Sequence, residues 1–192
     1  MTDTIAAQPI EEQTLPRYSQ KRYYPVRIGQ RLVERYSIVS KLGFGAYSTV
    51  WLARDERSVD LWDLIKRGKA EGRDRNNEYV SVKVFVQDDS TASPVLNEIR
   101  ILQHLKQCPR DHTGAMIARL PDDHFQLDGP TGQSHCIVSK PQGCSLGALQ
   151  KMFPNGRLPI QLAPHPVRCL LACINWLVLD CDLIHTGQRW RD

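Results

Sequence analysis

No apolar run in this chain approaches the roughly 18 residues a membrane-spanning helix needs, so no helical span is expected. An apolar signal core is missing too: Asp3, Glu11 and Glu12 stand near the start, which argues against secretion or organelle transit and leaves a cytoplasmic and/or nuclear expectation. Charge of one sign is not in excess. At a net charge of +4, with acids and bases interspersed, the chain is too mildly basic to argue for nucleic-acid binding, and Arg17, Lys21, Arg22, Arg27 and Arg31 read as a solvated face. The six cysteines, Cys108, Cys136, Cys144, Cys169, Cys173 and Cys181, contain no CxxC pair. Cys169 and Cys173 are four apart on an expected helix, but no second ligand pair accompanies them, so no metal site is expected and the thiols are taken as reduced. His104, His112, His124, His135 and His165 form no ligand pattern either. Neither an internal repeat nor a long low-complexity tract is present. At 192 residues there is room for one core of moderate size.

What the chain does have is concentrated in Leu42–Asp55, LGFGAYSTVWLARD. Gly43 and Gly45 permit a tight turn and close approach of an anion to the backbone. Tyr36 to Leu42 reads as a strand before them, and Thr49 to Ala53, apolar and β-branched, as a strand after them. A dinucleotide-binding turn would open a helix instead, so a hairpin that covers phosphates is the functional reading. An ordinary glycine hairpin remains open on these residues alone. Downstream, Tyr79–Val86 alternates: Val80, Val82 and Val84 share one face, Ser81 and Lys83 the other. A strand lysine is usually solvated. Ser93-Pro94 then supplies an N-cap and a first-turn proline for a helix from about Pro94 to Lys106. Glu98 is placed beside Val95, Ile101, Leu102 and Leu105, on the packing side, where a carboxylate needs a cation.

A glycine hairpin, a strand lysine and a helix glutamate in that order match the protein-kinase machinery, in which the lysine holds the α- and β-phosphates and the glutamate orients it. The resemblance narrows further. YYPVRIGQRLVERYSIVSKLGFGAYSTVWLARD, NEIRIL at Asn97–Leu102, HCIV at His135–Val138 and CDLIHT at Cys181–Thr186 are similar to the serine/arginine-protein kinase family. The resemblance covers roughly Tyr23 to Thr186. It implies an α+β fold: a kinase-like N-terminal lobe of a five-stranded antiparallel sheet plus helix C, with only the first helices of the C-terminal lobe. It also implies ATP as cofactor, magnesium for the family at large, and Arg-Ser-rich proteins as substrates. The nucleotide residues it implies are Leu42, Gly43, Gly45, Ser48 in place of a third glycine, Val50 against the purine, Ser81, Lys83, Glu98, and the hinge residues Lys140 and Gln142 through their backbone. Pro141 lacks an amide but stands where none is needed.

The resemblance breaks at the catalytic loop. Where the family follows His-Thr with an aspartate, His185-Thr186 is followed by Gly187. The asparagine and the Asp-Phe-Gly segment that hold magnesium are not found, so no catalytic residue is intact, Asp192 receives no role, and weak, largely magnesium-independent ATP binding without turnover is expected. This reads as an incomplete product of a kinase gene, residues 187–192 having the look of a retained intron or misplaced exon end. The alternative is a noncatalytic pseudokinase fragment that binds nucleotide or a partner as a scaffold.

The expected organisation is an irregular arm over 1–22, the N-terminal lobe over 23–139 with a polar insertion at 57–76, hinge and first C-lobe helices over 140–186, and a non-family tail over 187–192. Two strands are expected at His124–Asp128 and His135–Ser139 around a DGPTGQ turn. A short helix is expected at Ser145–Phe153 and a longer one from Pro166. The stripe Val167, Leu170, Leu171, Ile174, Leu177 on that last helix has little to pack on, which implies marginal stability and self-association.

Overall fold

The computed structural model describes residues 19–56, 78–88, 93–130 and 132–184. The arm before Ser19, the 57–76 insertion, His185, Thr186 and the tail from Gly187 therefore lie outside the described residues. The chain forms two compact units, one from its start to Leu96 together with Pro121–Pro141, the other from Asn97–Leu120 and the chain from Gln142 on.

The first unit is a six-stranded antiparallel sheet of β1 (Arg31–Leu32), β2 (Tyr36–Gly45), β3 (Ser48–Asp55), β4 (Glu78–Phe85), β5 (Asp123–Gly129) and β6 (Gly132–Ser139). Its strand order is β1-β2-β3-β4-β6-β5. Five strands were expected; the sixth, β1, is a two-residue strand paired with Tyr36 and Ser37. Its turn uses Val33 and Glu34 at positive φ, 42° and 53°, with no glycine to announce it. The predicted hairpin forms, with β2 running through both glycines and the turn confined to Ala46 and Tyr47.

Alternation decides the faces. Trp51, Ala53, Val80, Val82, Val84, Cys136 and Val138 point to one side and are buried with Tyr36 and Ile38, while Tyr24 and Val26 of the entry segment pack against them. Burial alone pushes the Cys136 thiol up to about 12. At one end of the sheet, Arg35 donates to both carboxylate oxygens of Asp55, at 2.8 and 2.9 Å, and to Asp123 at 2.8 Å. Tyr36 donates to the same Asp123 oxygen at 2.7 Å. The hydrogen bond with Asp55 raises the Arg35 pKa further above its ordinary value, against the opposing effect of burial.

Helix α1 (Pro94–Gln107) begins as expected, with Ser93 Oγ accepting from the amides of Val95 and Leu96. Its buried line is Val95, Ile99 and Leu105, with Leu102 half-buried, whereas Ile101 is exposed. The expectation for Ile101 is thus corrected: at 3.6 residues per turn it lies about 120° round the helix from Val95, at the margin of the buried face, and is 36% exposed.

In the second unit, α2 (Thr113–Ile117), which the sequence did not announce, packs against α4 (Pro164–Leu179). The core there is Leu105, Cys108, Ala115, Trp176 and Cys181. Trp176 is fully buried and donates its indole N–H to the Pro109 carbonyl at 2.8 Å. The two helices approach so closely at Gly114 that a Cβ there would lie 2.1 Å from the Ala172 carbonyl oxygen, so glycine is required. The short predicted helix is α3 (Leu146–Lys151), capped by Ser145, whose Oγ accepts from the Ala148 amide at 3.1 Å. Helix α4 starts two residues before its predicted proline; Val167, Leu170, Leu171 and Ile174 of its named stripe are exposed, the two leucines at 60% each, whereas Leu177 is half-buried against the Trp176 cluster.

Candidate functional site

The register of the sheet assembles the predicted residues. Gly43 pairs with Val50, Val50 with Lys83, and Lys83 with Ile137, forming one row across four strands. Gly45 pairs with Ser48 two residues further along, and Ser81 pairs with Leu52 and Ser139 two residues the other way. Because side chains two apart share a face, Gly43, Gly45, Ser48, Val50, Ser81 and Lys83 all belong to the face opposite the core. Lys83 lies with its ammonium 4.5 Å from the ring centroid of Phe85, the next residue on that face and itself buried, in cation–π contact. The sequence reading did not single out Phe85, although the two-residue period that placed Lys83 places it as well.

The glycines act differently from the expectation. Gly43 and Gly45 do not make the turn; both lie in the extended strand β2 without positive φ. A Cβ at either would meet nothing within 4 Å. The fold itself therefore places no demand for glycine at these positions, and what their lack of a side chain provides is clearance on the site face. Leu42 bulges out of the ladder between Lys41 and Gly43 and is exposed. Ser48 and Ser81 are buried and small. A glycine cradle, small polar neighbours and a cation on one face fit the polyphosphate of a nucleotide.

The remaining predicted residues lie elsewhere in the chain. Glu98 is half-buried on α1, and Lys140 and Gln142 are exposed in the extended segment between β6 and α3. Gly187 lies outside the described residues. Among the described residues no three of the His, Cys, Asp and Glu side chains gather to hold a metal, so they offer no ready-made magnesium cage. Cys169 Sγ lies 3.7 Å from His165 Nε2 on α4, and this contact, too, involves only two candidate ligands. No described helix is long and apolar enough to cross a membrane.

An antiparallel sheet with a glycine hairpin and a strand lysine on the face opposite the core, followed by a helix bearing a glutamate, defines a protein-kinase N-terminal lobe. No protein-family model matches the chain. Individual kinases do. The chain is 30% identical over 183 residues to a serine/threonine protein kinase of Aspergillus fumigatus, covering 95% of this chain and 41% of that protein. It is 30% identical over 181 residues to SRSF protein kinase 3 of Mus musculus, covering 93% and 29%. Against protein kinase dsk1 of Schizosaccharomyces pombe it is 28% identical over 179 residues, covering 93% and 30%. The chain is a relative of the serine/arginine protein kinases, and it spans less than half the length of the relatives it matches.

Proposed function

We propose that this chain is the nucleotide-binding portion of a serine/threonine protein kinase of the serine/arginine type, and that it binds ATP on the sheet face that carries Lys83. The observation that carries the reading is the single row Gly43–Val50–Lys83, with open space at the glycine. Lys83 would hold the α- and β-phosphates, Gly43 and Gly45 would let the hairpin backbone approach them, and Val50 would pack on the purine. ATP supplies the transferable phosphoryl group in the family. Titration calorimetry with ATP tests the reading: binding that Lys83→Ala weakens about tenfold or more supports it, and binding indifferent to Lys83 refutes it.

Turnover is a separate matter. With Gly187 after His185-Thr186, glycine stands where the family places the carboxylate that positions the substrate hydroxyl, so we infer that ATP bound to this chain undergoes no efficient phosphoryl transfer to a substrate. Arg-Ser-rich splicing proteins are the substrate class inferred from the names of the SRSF kinases, and a cytoplasmic or nuclear place is inferred with them. Incubation with radiolabelled ATP and an Arg-Ser repeat peptide should give no labelled peptide; labelling above a Lys83→Ala control would overturn the inference. One observation favours the second reading, a noncatalytic scaffold that associates with itself or a partner. The α4 stripe of Val167, Leu170, Leu171 and Ile174 is exposed. Light scattering across a concentration series distinguishes them, since a strict monomer would remove the support for that reading.

A further inference from the structure

We propose that Tyr23 is a positioning residue for the nucleotide: its hydroxyl sets the tip of the β2–β3 hairpin so that two successive backbone amides are presented to the phosphates. The inference rests on the nucleotide-binding reading above. The entry segment is fastened beside the hairpin at several points. The Gln87 amide donates to the Arg22 carbonyl at 2.9 Å, and Gln87 Nε2 donates to the Gly132 carbonyl at 2.8 Å. The Val86 amide donates to the Tyr47 carbonyl at 2.9 Å. These bonds hold the residue before Tyr23 and the far side of the hairpin tip to the same short stretch following β4. From that anchorage the Tyr23 hydroxyl reaches the Gly45 carbonyl at 3.1 Å and the Ala46 carbonyl at 3.2 Å, one donor shared by two acceptors.

The consequence follows from peptide geometry. In a planar trans peptide the C=O and the next N–H point in opposite directions. Two adjacent carbonyls directed at Tyr23 therefore turn the Ala46 and Tyr47 N–H groups together to the side away from it. Successive amides turned one way form an anion-binding concavity, and they do so here at the end of a hairpin whose glycines leave the adjacent space clear. The neighbouring Arg22 side chain is bonded to Gln87 rather than to the tip.

The test uses the full chain and Tyr23→Phe, which keeps the ring and removes only the donor. Amide hydrogen exchange at Ala46 and Tyr47 in nucleotide-free protein should quicken. Affinity for ATP should fall about two- to tenfold, the worth of one shared neutral hydrogen bond, while affinity for adenosine, which has no phosphates, and the melting temperature stay unchanged. A purely structural tyrosine would instead lower the melting temperature and weaken both ligands alike. Wild-type binding of ATP that Tyr23→Phe leaves unaltered overturns this inference alone. Failure of the wild type to bind ATP or adenosine removes the nucleotide reading, and this inference with it.

Discussion

Replacing Arg35 with alanine should be among the most damaging single changes available in the sheet. Its guanidinium makes three hydrogen bonds of 2.8–2.9 Å to two carboxylates and lies 4.6 Å from the centroid of the Tyr36 ring. The Asp55 side chain is only 5% exposed, so alanine would strand a carboxylate that water barely reaches. Breaking a fully buried pair from one side costs about 3–5 kcal/mol. Arg35 itself is 27% exposed and Asp123 36%, and water there softens the loss, which leaves about 2–4 kcal/mol and a fall in melting temperature on the order of 10 °C. A control lies four residues away. Arg31 and Glu56 approach to 2.7 Å, yet their side chains are 47% and 33% exposed, so Arg31→Ala should cost no more than about 1 kcal/mol. Urea denaturation followed by circular dichroism measures both. The combination Arg35→Met with Asp55→Leu should recover much of the loss, since no charge then remains buried. Equal, small effects from Arg35→Ala and Arg31→Ala would refute the claim that burial, and not the mere presence of an ion pair, sets the cost.

Three other outcomes are expected. Gly43→Ala should leave the melting temperature nearly unchanged, because the added methyl meets nothing within 4 Å, yet weaken ATP binding in calorimetry by filling the clearance. Gly114→Ala should destabilise the second unit by about 3 kcal/mol, since its methyl would meet the Ala172 backbone, and near-ultraviolet circular dichroism of Trp176 reports the loss. His135 is held below the ordinary histidine range, first by burial and then by its neighbour His124, so its contribution is fully present above the unfolded value near 6.5 and shrinks as pH falls from there towards the lower folded value. His135→Gln should accordingly flatten the decline in urea midpoint between about pH 7 and pH 5.

The strands and the main helix were legible because their signals are local. Valine alternation fixed β4, and Ser93-Pro94 fixed the start of α1. What escaped depended on contacts between distant segments or on unusual backbone. Strand β1 turns on Val33 and Glu34, neither of which advertises a positive φ. Helix α2 is five residues long, too short to show a period, and its glycine makes sense only against Ala172. Trp176 lies outside the apolar stripe that marked α4, because Val167, Leu170, Leu171 and Ile174 of that stripe form the exposed side and the tryptophan is anchored on another. For the site, Lys83 could be assigned to the right face from its own strand. That Gly43 shares its row could not, because β2 carries two register shifts, between Ile38 and Ser40 and between Lys41 and Gly43. Each one-residue shift reverses the faces, so either alone would have sent Gly43 to the core side, and only the two together return it.

The same register leads to the expectation that the site end of the sheet is the softer one. At the far end, where β2 begins, β3 finishes and β5 begins, Arg35, Asp55, Asp123 and Tyr36 are joined by charged hydrogen bonds, each worth about 1.5–3 kcal/mol. At the near end, where β2 turns into β3 and β4 finishes, single neutral bonds through Tyr23, Val86 and Gln87, each worth about 0.5–1.5 kcal/mol, stand beside one longer charged bond, from Arg22 Nε to the Gln87 carbonyl at 3.4 Å. Local opening follows the weaker set, so the hairpin tip should open at a lower free energy than the strands behind it. A phosphate-covering tip has to admit and release a ligand, whereas the row of Gly43, Val50 and Lys83 has to keep its register. A short, bidentate charged cluster at one end of the sheet and single, mostly neutral bonds at the other serve both requirements.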